Sequence, residues 1–305
     1  MALDQVGQSV LEAHWRQRPV VFRSALGDKF LSAHSSERFL SWTDHTLGSV
    51  RLFQSFDNGE ARSGLLDGKR SARAVHTRLS DSDAAFTIHM NDVEIVDPEI
   101  FDLRQSLGIP YWWRLDDVIG TLSSRGSGIG YHAGHEDGFI VQLVGSRRWR
   151  VWSECCTPAY YRRELLSPSP GANPVIHRPD ATADLLLDVE LNAGDVLYIP
   201  PFFPHEGATL ATSVSLSVAW KGLGPISFIP RSLYSAILPS DGLVGEAGAE
   251  ICLFQEREVA KIALAHWEKA TLAVIREAER EYARPLIRKS IENHIHLLSE
   301  RYCCS

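Results

Sequence analysis

Residues 128–142 read GIGYHAGHEDGFIVQ, and the fold and the chemistry of the chain both depend on this stretch. It sets two histidines, His132 and His135, and an acidic pair just ahead of a short apolar run. An apolar run bounded by glycine and polar residues is typical of a buried β-strand. Imidazole and carboxylate groups are also common ligands of divalent transition metals. The stretch therefore predicts a strand that carries metal ligands.

Residues 194–205, GDVLYIPPFFPH, form a matching second segment. A short apolar strand is followed by a proline pair that stiffens the chain just before His205. A non-haem iron site uses two histidines and one carboxylate on one face. A His-x-Asp pair on a strand supplies two of them, because residues i and i+2 point the same way. His205 fits the distal histidine, brought alongside by a later strand.

From about residue 110 the chain predicts an antiparallel barrel or sandwich, because short β-rich runs alternate with Gly, Pro, Ser and Asn. The predicted strands are 111–119, 127–132, 138–144, 148–153, 184–190, 195–199 and 213–220. In the last of these, Ser213, Ser215 and Ser217 alternate with aliphatic residues. We expect this serine face to line a polar cavity; the alternative is an edge strand whose serines face solvent.

Helical patterns flank this β region. The N-terminal part predicts helices at 9–17, 36–47 and 97–103, strands at 19–22 and 50–55, and a loop over 57–83. Beyond residue 224, apolar residues at helical intervals predict two amphipathic helices, over 251–282 and after Pro285. We therefore predict a catalytic domain over 1–224, with its core at about 110–222, and a helical region over 225–305 that docks on the barrel or forms a homodimer.

Composition narrows the class of partner. The net charge of −7 argues against a basic nucleic-acid-binding surface, so no nucleic-acid partner is expected. No apolar run approaches the roughly 20 residues of a membrane span, so no membrane association is expected. Five cysteines without CxxC spacing predict neither a zinc site nor a disulfide framework. With no basic n-region and apolar core at the N-terminus, these features favour a cytoplasmic protein.

Taken together, several motifs resemble the JmjC-type 2-oxoglutarate oxygenases, and the bacterial ribosomal oxygenases among them, over about residues 100–220. The motifs are Gly128-x-Gly130-x-His132, Phe139–Gln142, Gly145–Val151, Gly194–Pro201 and Pro204–Gly207, with Trp113–Asp117 upstream. The resemblance implies a mainly β protein: a double-stranded β-helix (jelly-roll, cupin) with N-terminal α/β elements and a C-terminal helical region. It also implies Fe(II), 2-oxoglutarate and O2.

The same resemblance implies roles for individual residues. His132 and His205 ligate iron. Arg147 stands at the family's basic position, and its guanidinium suits the far carboxylate of 2-oxoglutarate, with Ser215 assigned to the same cosubstrate. The tryptophans expected to line the cavity are Trp113 and Trp149.

The chain departs from the family at Gly134, which stands where the iron-binding aspartate is expected. The motif is His-Ala-Gly instead of His-x-Asp. Loss of the carboxylate removes a negative ligand and leaves room for an anion. The replacement resembles that of radical halogenases, in which chloride binds where the carboxylate was and the substrate carbon receives halide instead of hydroxyl. The main hypothesis is therefore a radical halogenase (chlorinase) that acts on an unactivated C–H bond.

Two alternatives stay open. A hydroxylase can use His135-x-Asp137 with His205, or His132 with Asp137 reaching the iron from a bend. His132 and His135 have opposite parity on a continuous strand and cannot share a face without a bulge. The other alternative is a non-catalytic cupin scaffold that keeps the fold without turnover.

The substrate is the least determined part of the prediction. The resembled family carries a C-terminal winged-helix-like domain, whereas residues 225–305 have the pattern of helices. This difference weakens the inference of a ribosomal substrate. A small-molecule, peptide or carrier-bound substrate is equally consistent with the sequence, which does not choose between these and a ribosomal protein.

Overall fold

The computed structural model describes residues 3–45, 50–55, 61–66, 71–82, 84–109, 115–165, 176–179 and 184–221. The helices are α1 (Leu3–Ala13), α2 (Asp28–Ser32), α3 (Ser36–Thr43), α4 (Ala72–Ser80), α5 (Val93–Val96), α6 (Pro98–Ser106) and α7 (Ala159–Leu165). The strands are β1 (Val20–Phe22), β2 (Val50–Ser55), β3 (Ala61–Leu65), β4 (Phe86–Met90), β5 (Leu115–Ser123), β6 (Glu136–Val144), β7 (Ser146–Trp152), β8 (Leu185–Asn192), β9 (Val196–Ile199), β10 (His205–Thr209) and β11 (Ser213–Lys221).

The strands form two sheets, which we call the major and the minor sheet. The major sheet has the order β1-β9-β6-β11-β5-β4-β2-β3, and the minor sheet has the order β10-β7-β8. In the major sheet β6 pairs antiparallel with β9, and in the minor sheet β7 pairs antiparallel with both β8 and β10. Apolar side chains of both sheets share one core cluster: Ile140, Trp149, Val151, Leu191, Leu197, Ile199 and Phe203. The predicted mainly β class is confirmed.

Side-chain caps determine where α3 and α6 begin. The Ser35 side chain accepts a hydrogen bond from the Arg38 amide at 3.1 Å and so caps α3. The Asp97 side chain accepts from the Glu99 amide at 3.0 Å, with Pro98 in the first turn of α6. The helix predicted at 97–103 is confirmed and extends to Ser106.

The predicted loop over 57–83 is wrong, because it contains β3 and α4. Ser71 caps α4, and the helix buries Val75 and Leu79, one turn apart. A short apolar stripe among polar residues gave too weak a periodic signal. The predicted strand over 127–132 is also wrong: His132 forms only an isolated bridge there. Strands β4 and β10 were not predicted.

The chain divides into two compact units. The first comprises 1–110, 116–157 and 176–220 and holds nearly all of both sheets. The second comprises 111–115, 158–175 and 221–305; its described part includes α7. Trp113 and the two predicted C-terminal helices, with the homodimer they suggest, lie outside the described residues. Within the described residues, no helix combines the length and the apolar character needed to cross a membrane.

Candidate functional site

His132 and His205 lie side by side and line one cavity. The His132 amide donates to the His205 carbonyl at 3.0 Å, and the His205 amide donates back to the His132 carbonyl at 2.8 Å. This isolated antiparallel bridge brings the two ring centroids to 4.4 Å. The structure thus joins the two histidines on which the predicted metal site depends.

Both imidazoles are held in the same tautomer. The Nδ1 atom of His132 lies 2.9 Å from the Gly130 carbonyl oxygen, and that of His205 lies 2.9 Å from the Phe203 carbonyl oxygen. Since a carbonyl only accepts hydrogen bonds, each Nδ1 carries the proton and each Nε2 keeps its lone pair. Burial lowers the pKa of His132; burial and the neighbouring His132 lower the pKa of His205 to about 3. Two neutral imidazoles with free Nε2 atoms fit the ligands of a transition metal.

The loop that leads to His205 is fixed by an uncommon backbone conformation. Phe202 has a left-handed φ of 63°, which is unfavourable for a residue with a side chain. Its amide donates to the Gly134 carbonyl at 2.8 Å, and its carbonyl accepts from the Thr157 hydroxyl at 2.7 Å. These bonds hold the loop from Pro200 to His205 against the segment that carries His132.

Arg147 is a buried cation, 3% exposed, near the start of β7. It donates to the Ser215 hydroxyl at 3.3 Å and to the Gly207 carbonyl at 3.1 Å, and its guanidinium carbon lies 5.0 Å from the Trp149 ring centroid. In the described part of the chain, its Nε and the Nε1 of Trp149 are buried without a hydrogen-bond partner. Burial lowers the pKa of Arg147 to about 10, so the group is still charged at neutral pH.

No carboxylate pairs with Arg147 among the described residues, whose ion pairs all involve other arginines or His135. A buried charge without a counterion is unfavourable. A bound anion with a planar carboxylate satisfies both the guanidinium and its free Nε–H. The residues present therefore fit 2-oxoglutarate.

The histidines and Arg147 open on one cavity of about 260 Å³. Ser215, Ser217 and Trp149 also line it. Ser213 is buried but does not line the cavity, so two of the three predicted serines occupy the predicted position.

The same cavity has polar residues that the sequence pattern did not indicate. His89, Asp116, Asp117 and Thr121 line it, and the Thr121 hydroxyl lies 2.7 Å from the Ser215 hydroxyl. Burial lowers the pKa of His89 to about 4 and raises the pKa of Asp117. His89 was missed because its strand, β4, was not predicted.

Asp137 has a structural position. Its carboxylate is fully buried and accepts from Arg16 Nε at 3.1 Å and from the Tyr198 hydroxyl at 2.8 Å. It does not line the cavity, and neither does His135. Because Asp137 follows Glu136 on β6, its side chain points to the opposite face of the strand. The geometry does not fit the alternative ligand set of His135 and Asp137.

Gly134 lines the cavity, as expected for the residue two positions after His132. The space where its side chain would lie is contacted by Glu136, whose Oε2 is 2.5 Å from the position of a Cβ on residue 134. The predicted open halide position therefore has a carboxylate beside it. Sequence reasoning missed Glu136, which begins β6 and lines the same cavity.

The chain is similar to several known proteins. A family model described as JmjC domain matches residues 103–223. The ribosomal protein uL16 3-hydroxylase of Escherichia coli is 30% identical over 227 residues, 69% of this chain and 51% of the relative. A probable ribosomal oxygenase of Haemophilus influenzae is 23% identical over 65% of this chain and 45% of the relative. The tRNA wybutosine-synthesizing protein 5 of Gallus gallus is 27% identical over 49% of this chain and 44% of the relative.

The chain spans about half the length of these curated relatives. Among solved structures, the ribosomal oxygenase YcfD of Escherichia coli in complex with cobalt and 2-oxoglutarate has a TM-score of 0.58 at 22% identity, covering 86% of this chain and 68% of that one. At this identity the likeness concerns the fold, and the predicted cupin-like double-stranded β-helix is confirmed.

The expected set of partners needs correction. The prediction of no nucleic-acid partner is wrong, because the relatives are named for a ribosomal protein, for ribosomes and for a transfer RNA. A net charge of −7 describes the whole chain and does not exclude a local surface that binds a nucleic-acid-containing partner.

Proposed function

Residues 103–223 form a JmjC domain of the Fe(II)- and 2-oxoglutarate-dependent oxygenase superfamily, and from this premise we propose that the chain is a hydroxylase of a protein side chain. One observation carries the proposal. Arg147 is buried and forms no ion pair with any described residue. It lines the same cavity as two neutral histidines whose Nε2 atoms keep their lone pairs. A scaffold without turnover gains nothing from burying a cation that has no counterion. A bound metal and a bound anion together offset the free-energy cost of this arrangement.

Each residue has a defined task in this proposal. His132 and His205 hold the metal through Nε2, with their Nδ1–H groups anchored on carbonyls. Arg147 and Ser215 take the far carboxylate of 2-oxoglutarate, and the Trp149 ring covers the guanidinium. Bound Fe(II) with 2-oxoglutarate supplies the dioxygen chemistry that converts a C–H bond into C–OH.

Hydroxylation is better supported than the halogenation predicted from Gly134. The halogenase hypothesis required an open anion position at residue 134. Glu136 Oε2 lies 2.5 Å from that residue's Cβ position, and a carboxylate beside the site disfavours a second anion there. One relative is named as a hydroxylase and another as a probable ribosomal oxygenase.

A protein residue in a ribosomal setting is the proposed substrate. The names of two relatives support the setting. The cavity adds a chemical preference, because Asp116 and Asp117 line it. Carboxylates on the wall of a partly buried cavity favour a basic side chain. The cytoplasmic location stays a prediction.

The test uses the purified chain with Fe(II), 2-oxoglutarate and either intact ribosomes or isolated ribosomal proteins. Succinate formation and the intact masses of the ribosomal proteins are measured in chloride-free buffer and again with added chloride or bromide. We expect the mass of one protein to rise by one oxygen atom, with no effect of halide. A halogenated product would overturn hydroxylation, and 2-oxoglutarate that stays unconsumed with every ribosomal fraction would overturn the proposed substrate.

A further inference from the structure

We propose that Glu136 supplies the carboxylate ligand of the metal, in place of the side chain that Gly134 lacks. The inference rests on the proposed function, since it concerns the same metal site. It assigns to this chain a ligand set of His132, His205 and Glu136, in which the acid follows the first histidine at i+4 instead of i+2.

The position of the Glu136 carboxylate is the first argument. Its Oε2 lies 2.5 Å from the Cβ position of residue 134. In an aspartate the carboxylate oxygens lie about 2.4 Å from the residue's own Cβ, by standard bond lengths. Glu136 thus brings an oxygen to the distance at which an aspartate at position 134 would hold its own. A side chain at 134 would displace the end of this glutamate, whereas glycine leaves the space to it.

The shared cavity is the second argument. Gly134 and Glu136 both line the cavity that holds His132 and His205, and Glu136 is the first residue of β6. Asp137, the other nearby acid, is committed to Arg16 and Tyr198 on the opposite side. Glu136 is 26% exposed at its side chain, so it can turn without disturbing the core.

The chemistry of the metal is the third argument. Two imidazoles and one carboxylate on one face hold non-haem Fe(II) and leave positions for cosubstrate and dioxygen. With Gly134 alone the site would keep two neutral ligands. The Glu136 carboxylate restores both the third donor and the negative charge.

A small side-chain movement completes the site. The other Glu136 oxygen lies 3.1 Å from His135 Nδ1. In the part of the chain that the structure describes, three metal-binding donor atoms lie within 4.8 Å of one another only at Cys155, Cys156 and Asp184. Glu136 must therefore turn from His135 towards the two Nε2 atoms when the metal binds. The contact with His135 is lost in this turn.

The experiment measures Co(II) binding to the metal-free full chain by calorimetry and by the visible absorption of bound Co(II). The variants are Glu136→Gln, the double variant Gly134→Asp with Glu136→Ala, which leaves space for the new aspartate, and Glu190→Gln, which changes an exposed acid on β8. We expect Glu136→Gln to weaken Co(II) binding about tenfold or more and to alter the spectrum. The double variant should restore the Co(II) affinity and the spectrum. Glu190→Gln should change neither the affinity nor the spectrum. Circular dichroism checks that each variant is folded.

The outcomes separate this inference from the proposed function. Equal Co(II) affinity and equal spectra for the wild type and Glu136→Gln, with binding lost in His205→Ala, would overturn the Glu136 ligand and leave the proposed function standing. A folded wild type that binds no Co(II) would overturn both. Loss in Glu136→Gln without rescue in the double variant would also count against the ligand role, because it would show that the effect does not depend on a carboxylate at that place.

Discussion

His132 and His205 are bonded to each other through their main chains in both directions, with N–H···O distances of 3.0 and 2.8 Å. The spacing of the two rings is therefore set by the backbone and does not depend on a bound metal. Nδ1 contacts to Gly130 and Phe203 fix the ring orientation as well. Such preorganisation keeps the cost of metal binding low, because little conformational freedom is lost.

His132→Ala and His205→Ala should each reduce Co(II) affinity about 100-fold or more, since each removes a direct ligand. His135→Ala should change the affinity by no more than about threefold, because His135 contacts Glu136 and does not line the cavity. Calorimetry on the metal-free chain measures all three. The opposite pattern, with loss in His135→Ala and retention in His132→Ala, would favour the alternative set of His135 and Asp137.

Arg147→Ala should weaken 2-oxoglutarate binding about 10- to 100-fold, as expected for loss of a charge-assisted hydrogen-bonded pair. Arg148→Ala is the matched control, because Arg148 is the next residue on β7 but is exposed and paired with Asp188. Arg147→Lys should recover only part of the affinity, since an ammonium group cannot bind bidentately. The dissociation constant of 2-oxoglutarate is measured with Co(II) bound. An equal effect of the two alanine variants would contradict the assignment.

The sequence predicted the part of the site that depends on spacing along single strands. His132, Arg147 and His205 each lie next to a glycine- or proline-marked strand, and the structure brings all three to one cavity. The same pattern predicted the β class, because strands β6, β9 and β11 have uninterrupted apolar or alternating runs.

The features that the sequence did not reveal depend on side-chain direction and on long-range pairing. Asp137 is joined to Arg16 and Tyr198, which lie 121 and 61 residues away, and no local pattern indicates such partners. Glu136 was not predicted as a ligand because the family motif places the acid at position 134. Its proposed role as a ligand rests on the position of its Oε2 atom beside Gly134.

Asp137→Asn should destabilise the fold by about 3 kcal/mol, because it leaves the buried Arg16 guanidinium without its charged partner. Tyr198→Phe removes only the hydroxyl that donates to Asp137 and should cost about 1 kcal/mol. Urea unfolding measures both changes. Co(II) affinity of the folded variants should stay within about threefold of wild type. If Asp137→Asn instead kept the free energy of unfolding but lost Co(II) binding, Asp137 would be identified as a metal ligand.

Asp97 should make the stability of the fold depend on pH in the acid range. Burial alone would raise its pKa, but hydrogen bonds from Arg38 at 2.9 Å and from Trp42 at 2.7 Å outweigh burial and lower it. A lowered folded-state pKa means that the stabilisation is fully present above the unfolded value of 3.8 and is lost as pH falls through the folded pKa. Asp97→Asn should therefore cost about 2 kcal/mol at neutral pH, and its difference from wild type should shrink below about pH 4. Urea unfolding from pH 3 to 7 tests this, with the exposed Asp102→Asn on the same helix as the control. A constant difference across the whole range would contradict the ion-pair origin of the effect and leave only helix capping to explain it.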